Sequence, residues 1–88
     1  MKQLISTMLG NVEVVEVSLN RATGYGQYRL SIEFIFEGSK QILNIHSTDS
    51  KLFDKISDLE NNTERSEYLM THSRYTIEAA IEDYINSL

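Results

Sequence analysis

Few residues of this 88-residue chain carry side chains able to move a proton, attack a carbonyl or hold a metal. There are two histidines, His46 and His72. The run His46-Ser47-Thr48-Asp49 contains the residue types of a hydrolytic triad, in which a histidine takes the proton of a serine while a carboxylate orients it. Neighbours at a strand end point to alternate sides, so these four residues read better as a strand running into a helix cap. Two acid pairs, Asp54 with Asp58 and Glu78 with Glu82, stand four residues apart on expected helices and could offer oxygens to a hard cation. Neither pair has a histidine within a turn, and no calcium-loop spacing is present. Gly24-Tyr25-Gly26 lacks the third glycine of a phosphate loop. The absence of cysteine excludes thiolate catalysis, cysteine zinc sites and disulfides. A chain this short also has little room for a deep pocket. The expectation is a non-enzymatic protein that binds no metal and no cofactor.

Charge is more informative. Residues 1–48 hold four acids and four bases, net zero; residues 49–88 hold nine acids and four bases, so the whole formal charge of −5 lies there. Such asymmetry bears on partners rather than on fold. Eight scattered bases form no stripe for phosphates, which argues against direct nucleic-acid binding and against an anionic membrane. No run approaches the ~20 apolar residues of a membrane span, and the first residues lack the apolar stretch of a signal peptide. A soluble cytoplasmic protein is expected, with a basic protein surface as the natural partner.

The elements that must position these residues follow from periodicity. Leu4, Ile5, Met8 and Leu9 share a helical face, with Gly10 where a helix C-terminus would be capped, so a short helix is expected over 2–9. Residues 12–19 are rich in β-branched side chains, but their alternation slips at Val14-Val15. A bulge there would put Val12, Val14, Val17 and Leu19 on one face. Tyr28, Leu30, Ile32, Phe34 and Phe36 alternate cleanly and predict a half-buried central strand over 27–37. Gly38-Ser39 suits a type II′ turn into a third strand over 40–47, and 20–26 form the longer loop between the first two strands. Asp49 or Ser50 caps a helix over 50–60. A second helical stretch resumes at Glu64, with a stripe of Ile77, Ala80, Ile81, Tyr84 and Leu88 and a break near Thr71–Ser73. The result is one α+β domain of order α-βββ-α-α, a three-stranded antiparallel meander with helices on one face. The other face presents Arg29, Ser31, Glu33, Ile35 and Glu37.

Two groups of residues stand out as binding candidates. Asp54 and Asp58 have Lys51 and Lys55 nearby, whereas Glu78 and Glu82 have little local relief from repulsion of about 0.2–0.5 kcal/mol per like-charged pair. That marks Glu78, Glu82 and Asp83 either as a docking patch or as a solvated face. In the loop, Arg21 and Tyr25 are residue types frequent in interface hot spots, although Tyr25 could equally fold onto the sheet edge. Tyr28 and Tyr84 read as core; Tyr68 and Tyr75 stay open.

The order α-βββ-α resembles that of double-stranded RNA-binding domains. That family holds phosphates with a basic cluster at the start of its last helix. Here the place reads Asp49-Ser50-Lys51-Leu52-Phe53-Asp54, so the function does not carry over. Size, acidity and element order are also similar to some small phage-encoded inhibitors of CRISPR nucleases, which occlude basic DNA-binding surfaces. The expectation is therefore a small acidic protein-binding module, a phage-type inhibitor or immunity protein, that docks on a basic surface. The alternative is a self-associating homodimer using the open sheet face, with Ile35 and Ile42 as its apolar contacts.

Overall fold

The structure, a computed structural model, describes residues 3–7, 10–24 and 26–87, with 3–7, 10 and 11 described through their backbone. Four strands come first: β1 (Gln3–Thr7), β2 (Gly10–Arg21), β3 (Tyr28–Phe36) and β4 (Ser39–Ser47). Three helices follow: α1 (Ser50–Ser57), α2 (Asn62–His72) and α3 (Arg74–Asn86). The class is α+β with an antiparallel sheet, but the order is strands then helices, not α-βββ-α-α. The expected three-stranded meander is present as β2-β3-β4, and β1 adds a fourth strand beside β2.

The expected helix over 2–9 is therefore wrong where the chain is described. Gln3–Thr7 pairs antiparallel with β2, from Gln3 opposite Val14 to Thr7 opposite Gly10, and Gly10 opens a strand rather than capping a helix. A helix of two turns is too short to persist on its own. The same residues laid along β2 gain a ladder and cover the edge of its first half. Met8 and Leu9 of the expected helical face lie outside the described residues.

The bulge is where the slip in alternation put it. Val14 pairs with Phe34 and Glu16 with Glu33, leaving Val15 as the extra residue. Val12, Val14, Val17 and Leu19 are all buried, and on β3 so are Leu30, Ile32 and Phe34. One cluster joins them to Leu52 and Ile56 of α1, Leu69 and Met70 of α2, and Ile77, Ile81 and Ile85 of α3. Burying each such side chain contributes roughly 1.5–3 kcal/mol. Leu88, placed on the α3 stripe by its spacing, lies outside the described residues.

The β3–β4 turn is centred one residue earlier than expected. Phe36 pairs with Ser39, so the two central residues are Glu37 and Gly38, with φ of 53° and 76°. Positive φ at both is the pattern of a type I′ turn, not type II′; it matches the twist of the strands it joins and needs a left-handed residue at Glu37. The cap of α1 is at Asp49, as expected, and Asn61 caps α2. Asp49 Oδ1 accepts the Leu52 N–H at 3.0 Å and Asn61 Oδ1 accepts the Glu64 N–H at 2.9 Å. The chain breaks at Ser73 between α2 and α3, though Ser73 makes no side-chain cap and instead meets His72 Nδ1 through its hydroxyl at 3.2 Å.

Helices cover one face of the sheet, and the other is open. On the open face Ser31 Oγ donates to Asn44 Oδ1 at 2.7 Å, and Lys40 Nζ meets Glu33 Oε1 at 2.6 Å. Glu16 stands directly opposite Glu33 across β2 and β3. The hydrogen bond and charge of Glu33, aided by Glu16, hold the Lys40 ammonium above the ordinary lysine range.

Candidate functional site

The acids singled out from the sequence lie on α3, whose buried stripe is Ile77, Ile81 and Ile85. At about 100° per residue, Glu78 and Glu82 fall on one flank of that stripe. Asp83 is turned about 100° further round and is exposed. The three acids thus share a helix without forming one compact patch. Nor is Glu78 unrelieved: Arg74 Nε donates to its Oε1 at 2.8 Å, an i,i+4 ion pair that offsets the repulsion from Glu82. Glu82 and Asp83 make no ion pair among the described residues.

Tyr75 is the addition that periodicity left open. It is 86% exposed, and among the described residues only Ile42, at 60%, joins it as an exposed large hydrophobic residue. With Glu78 and Glu82 it stands at i, i+3 and i+7, on the same flank of α3. Tyr68, the other unassigned tyrosine, is half-buried; its ring stacks on His72 at 5.8 Å, and Lys55 Nζ lies 5.8 Å from its centroid.

Arg21 is elsewhere. Its guanidinium lies over the Phe53 ring at 5.3 Å, and Phe53 stacks on Tyr28 at 4.6 Å. Arg21 pairs with Tyr28 at one end of β3, whereas Tyr84 of α3 packs edge-on against Phe34. Six residues of strand separate those positions, about 20 Å, so Arg21 is remote from the Tyr84 end of α3 that carries Glu82 and Asp83. Tyr25 lies outside the described residues.

The residues of the would-be triad are used in the turn into α1. Ser47 Oγ accepts the Asp49 N–H at 3.3 Å while Asp49 caps α1. His46 makes no hydrogen bond to either among the described residues. A groove of about 240 Å³ does bring His46 and His72 to one rim, with Ser47, Asp49, Ser73 and Thr76, over a floor that includes Leu19, Leu30 and Leu52. No group of three or more potential metal ligands gathers among the described residues. A second groove, of about 280 Å³, runs along β2 from Glu16 to Arg21 against Phe53, Ile56, Asn62 and Arg65.

Beside that groove, Ser66 of α2 is the one buried polar residue among the described residues, and spacing alone does not single it out. Its hydroxyl donates to Val17 C=O at 2.8 Å and accepts the Val17 N–H at 3.3 Å. One side chain thus satisfies both backbone groups of a β2 residue beyond the reach of β1. Arg65 fixes the same corner by donating to the carbonyls of Ile56 and Leu59 at 3.1 and 2.8 Å.

Comparison with protein-family models, with curated proteins and with solved structures gives no match. The element order behind the resemblance to double-stranded RNA-binding domains and to small phage inhibitors is not that of the fold, which leaves size and acidity as the shared features. No helix among the described residues is long and apolar enough to cross a membrane.

Proposed function

We propose that this chain is a non-enzymatic protein-binding module whose acidic helical layer docks on a basic surface of a partner protein. A phage-type inhibitor or immunity protein working in the cytoplasm is one instance. The observation that carries the reading is Tyr75, 86% exposed beside Glu78 and Glu82. An exposed tyrosine on the same flank as Glu82, which makes no ion pair among the described residues, supplies the aromatic anchor and the charge that hot spots combine. The surrounding layer reinforces it, because the segment with net −5 forms the helices while the strands carry no net charge. Arg21, the last residue of β2, is held over Phe53 and contributes separately from the α3 acids.

The test is a pull-down from the native host at low and high salt, followed by titration of the captured protein. Tyr75→Ala should weaken binding by about tenfold or more. The triple change of Glu78, Glu82 and Asp83 to Lys should abolish capture, as should raising the salt several-fold. Capture by the triple variant at wild-type strength sinks the reading.

A second reading has its own observation. Ile42 is 60% exposed on the open sheet face, where Ile35 is half-buried. Those residues favour self-association of the chain.

A further inference from the structure

We infer that β4 is a self-pairing edge: it joins the β4 of a second copy, antiparallel about a twofold axis through Leu43, to make one continuous sheet. This deepens the self-association reading and moves the contact from the sheet's face to its edge.

The first observation is the direction of the backbone groups. In a two-residue hairpin the pair flanking the turn, here Phe36 and Ser39, exchanges hydrogen bonds, and the groups alternate from there. Ser39, Gln41, Leu43, Ile45 and Ser47 therefore bond to β3. Lys40, Ile42, Asn44 and His46 send their N–H and C=O groups outward, and β4 has no neighbour on that side among the described residues. Leu43 is the midpoint of the nine-residue strand. A twofold axis there pairs every residue of β4. Ile42 meets Asn44 of the second copy, and Lys40 meets His46, so each outward-facing residue finds another outward-facing residue. The strand's own parity is thus self-complementary.

The second observation is charge. Two copies of a chain carrying −5 repel unless they meet where charge is absent. Lys40 is the sole acid or base of β4 besides His46, and Glu33 already pairs with it. The neighbouring flank of α3 is identified by the Tyr84 hydroxyl, which donates to Gln41 Oε1 at 3.0 Å. One and two turns earlier that flank carries Ala80 and Thr76, both uncharged, while Glu78 and Glu82 occupy the opposite flank. Asp83, three residues after Ala80 and seven after Thr76, borders this flank on its solvent side, so the charges of α3 and β4 near this side come down to Asp83 and the Glu33-paired Lys40.

The third observation is what protects the edge. Natural edges are blunted by bulges, prolines, charges or a covering element. The β3–β4 register runs without a shift from Tyr28–Ser47 to Phe36–Ser39, and the chain has no proline. Lys40 is the one such device on β4. Leu43 and Ile45 stay only half-buried beneath the helices, so a paired strand would cover them further.

The test is light scattering of the full chain across micromolar concentrations, combined with three variants. Wild type should reach twice the chain mass. Asn44→Pro removes an outward N–H, leaves the backbone bonds to β3 intact while giving up the side-chain bond from Ser31, and should return the chain to a monomer. Ile42→Ser removes the apolar contact of the open face but no edge hydrogen bond, and should leave the dimer in place. Leu43→Cys adds a cysteine to a chain without one, at a position facing its own copy across a non-hydrogen-bonded pair. It should form a covalent dimer on mild oxidation. Ile45→Cys, whose two copies would lie about 13 Å apart, should not. A monomer at every concentration overturns both the edge and the self-association reading. A dimer that Ile42→Ser dissolves, while Asn44→Pro and the absence of a Leu43→Cys cross-link leave it unmoved, overturns the edge and keeps the face.

Discussion

Two stretches of strand edge in this sheet, the second half of β2 and the outer side of β4, are treated in opposite ways. Past Val14, no described residue of β1 pairs with β2. There α2 brings Ser66 to the backbone of Val17, and α1 lays Phe53 beneath Arg21. At β4 no element does the equivalent among the described residues, and Ile42 stands 60% exposed. Both strands are apolar and alternate. The difference is whether a helix arrives with a small hydroxyl residue on its buried face. Closing a strand edge is thus a property of the neighbour, not of the strand.

The largest test of that contrast is truncation on each side. Ile81→Ala, at a fully buried position, should cost about 2–5 kcal/mol. Ile42→Ala should stay within about 0.5 kcal/mol. Urea denaturation of dilute protein reads both, and equal losses would erase the distinction. Next come the hydroxyls. Ser66→Ala leaves the N–H and C=O of Val17 buried and unpaired, for a loss of about 1–3 kcal/mol. Amide exchange at Val17 should accelerate with it. Ser31→Ala removes a hydrogen bond on the open face and should have a far smaller effect, because water replaces the lost partner. The smallest effect is electrostatic. Lys40 is held above the ordinary lysine range by Glu33, so the pair's contribution is complete below that range and fades as pH rises through the raised value. NMR titration should show the Lys40 ammonium returning to the ordinary range in Glu33→Gln. No change would mean that the ion pair is not formed in solution.

Much of this fold is legible in the residues, for reasons that differ by element. The alternation of β3 has a period that only a strand satisfies. The slip at Val14-Val15 reveals the bulge because one extra residue is the least change that keeps four apolar side chains on one face. β1 is not legible because Leu4, Ile5, Met8 and Leu9 fit a helical face, and nothing local reports that β2 would otherwise have a bare edge. The turn lies one residue before the position its sequence suggests, because Glu-Gly is not among the dipeptides that favour a type I′ turn. At the candidate site the spacing of Arg74 and Glu78 held the ion pair in plain view. Tyr75 stayed ambiguous until Ile77, Ile81 and Ile85 fixed which side of α3 is buried. Ser66 had a signal too, standing three and four residues before Leu69 and Met70 on the same helical face, but polarity alone suggested solvent.

The interruption at Ser73 sets the footprint of the molecule. A single unbroken helix from Asn62 to Asn86 would be about 37 Å long at ~1.5 Å per residue, more than the greatest extent of the whole protein, 35 Å. Its far end would overhang the sheet and leave Ile81 and Ile85 in water. By turning at Ser73 the chain spends the same residues as two shorter cylinders that fit within the area of a four-stranded sheet. A change that straightens this corner would be felt less as a lost contact than as a mismatch in size, with the tail of the helix left without a floor.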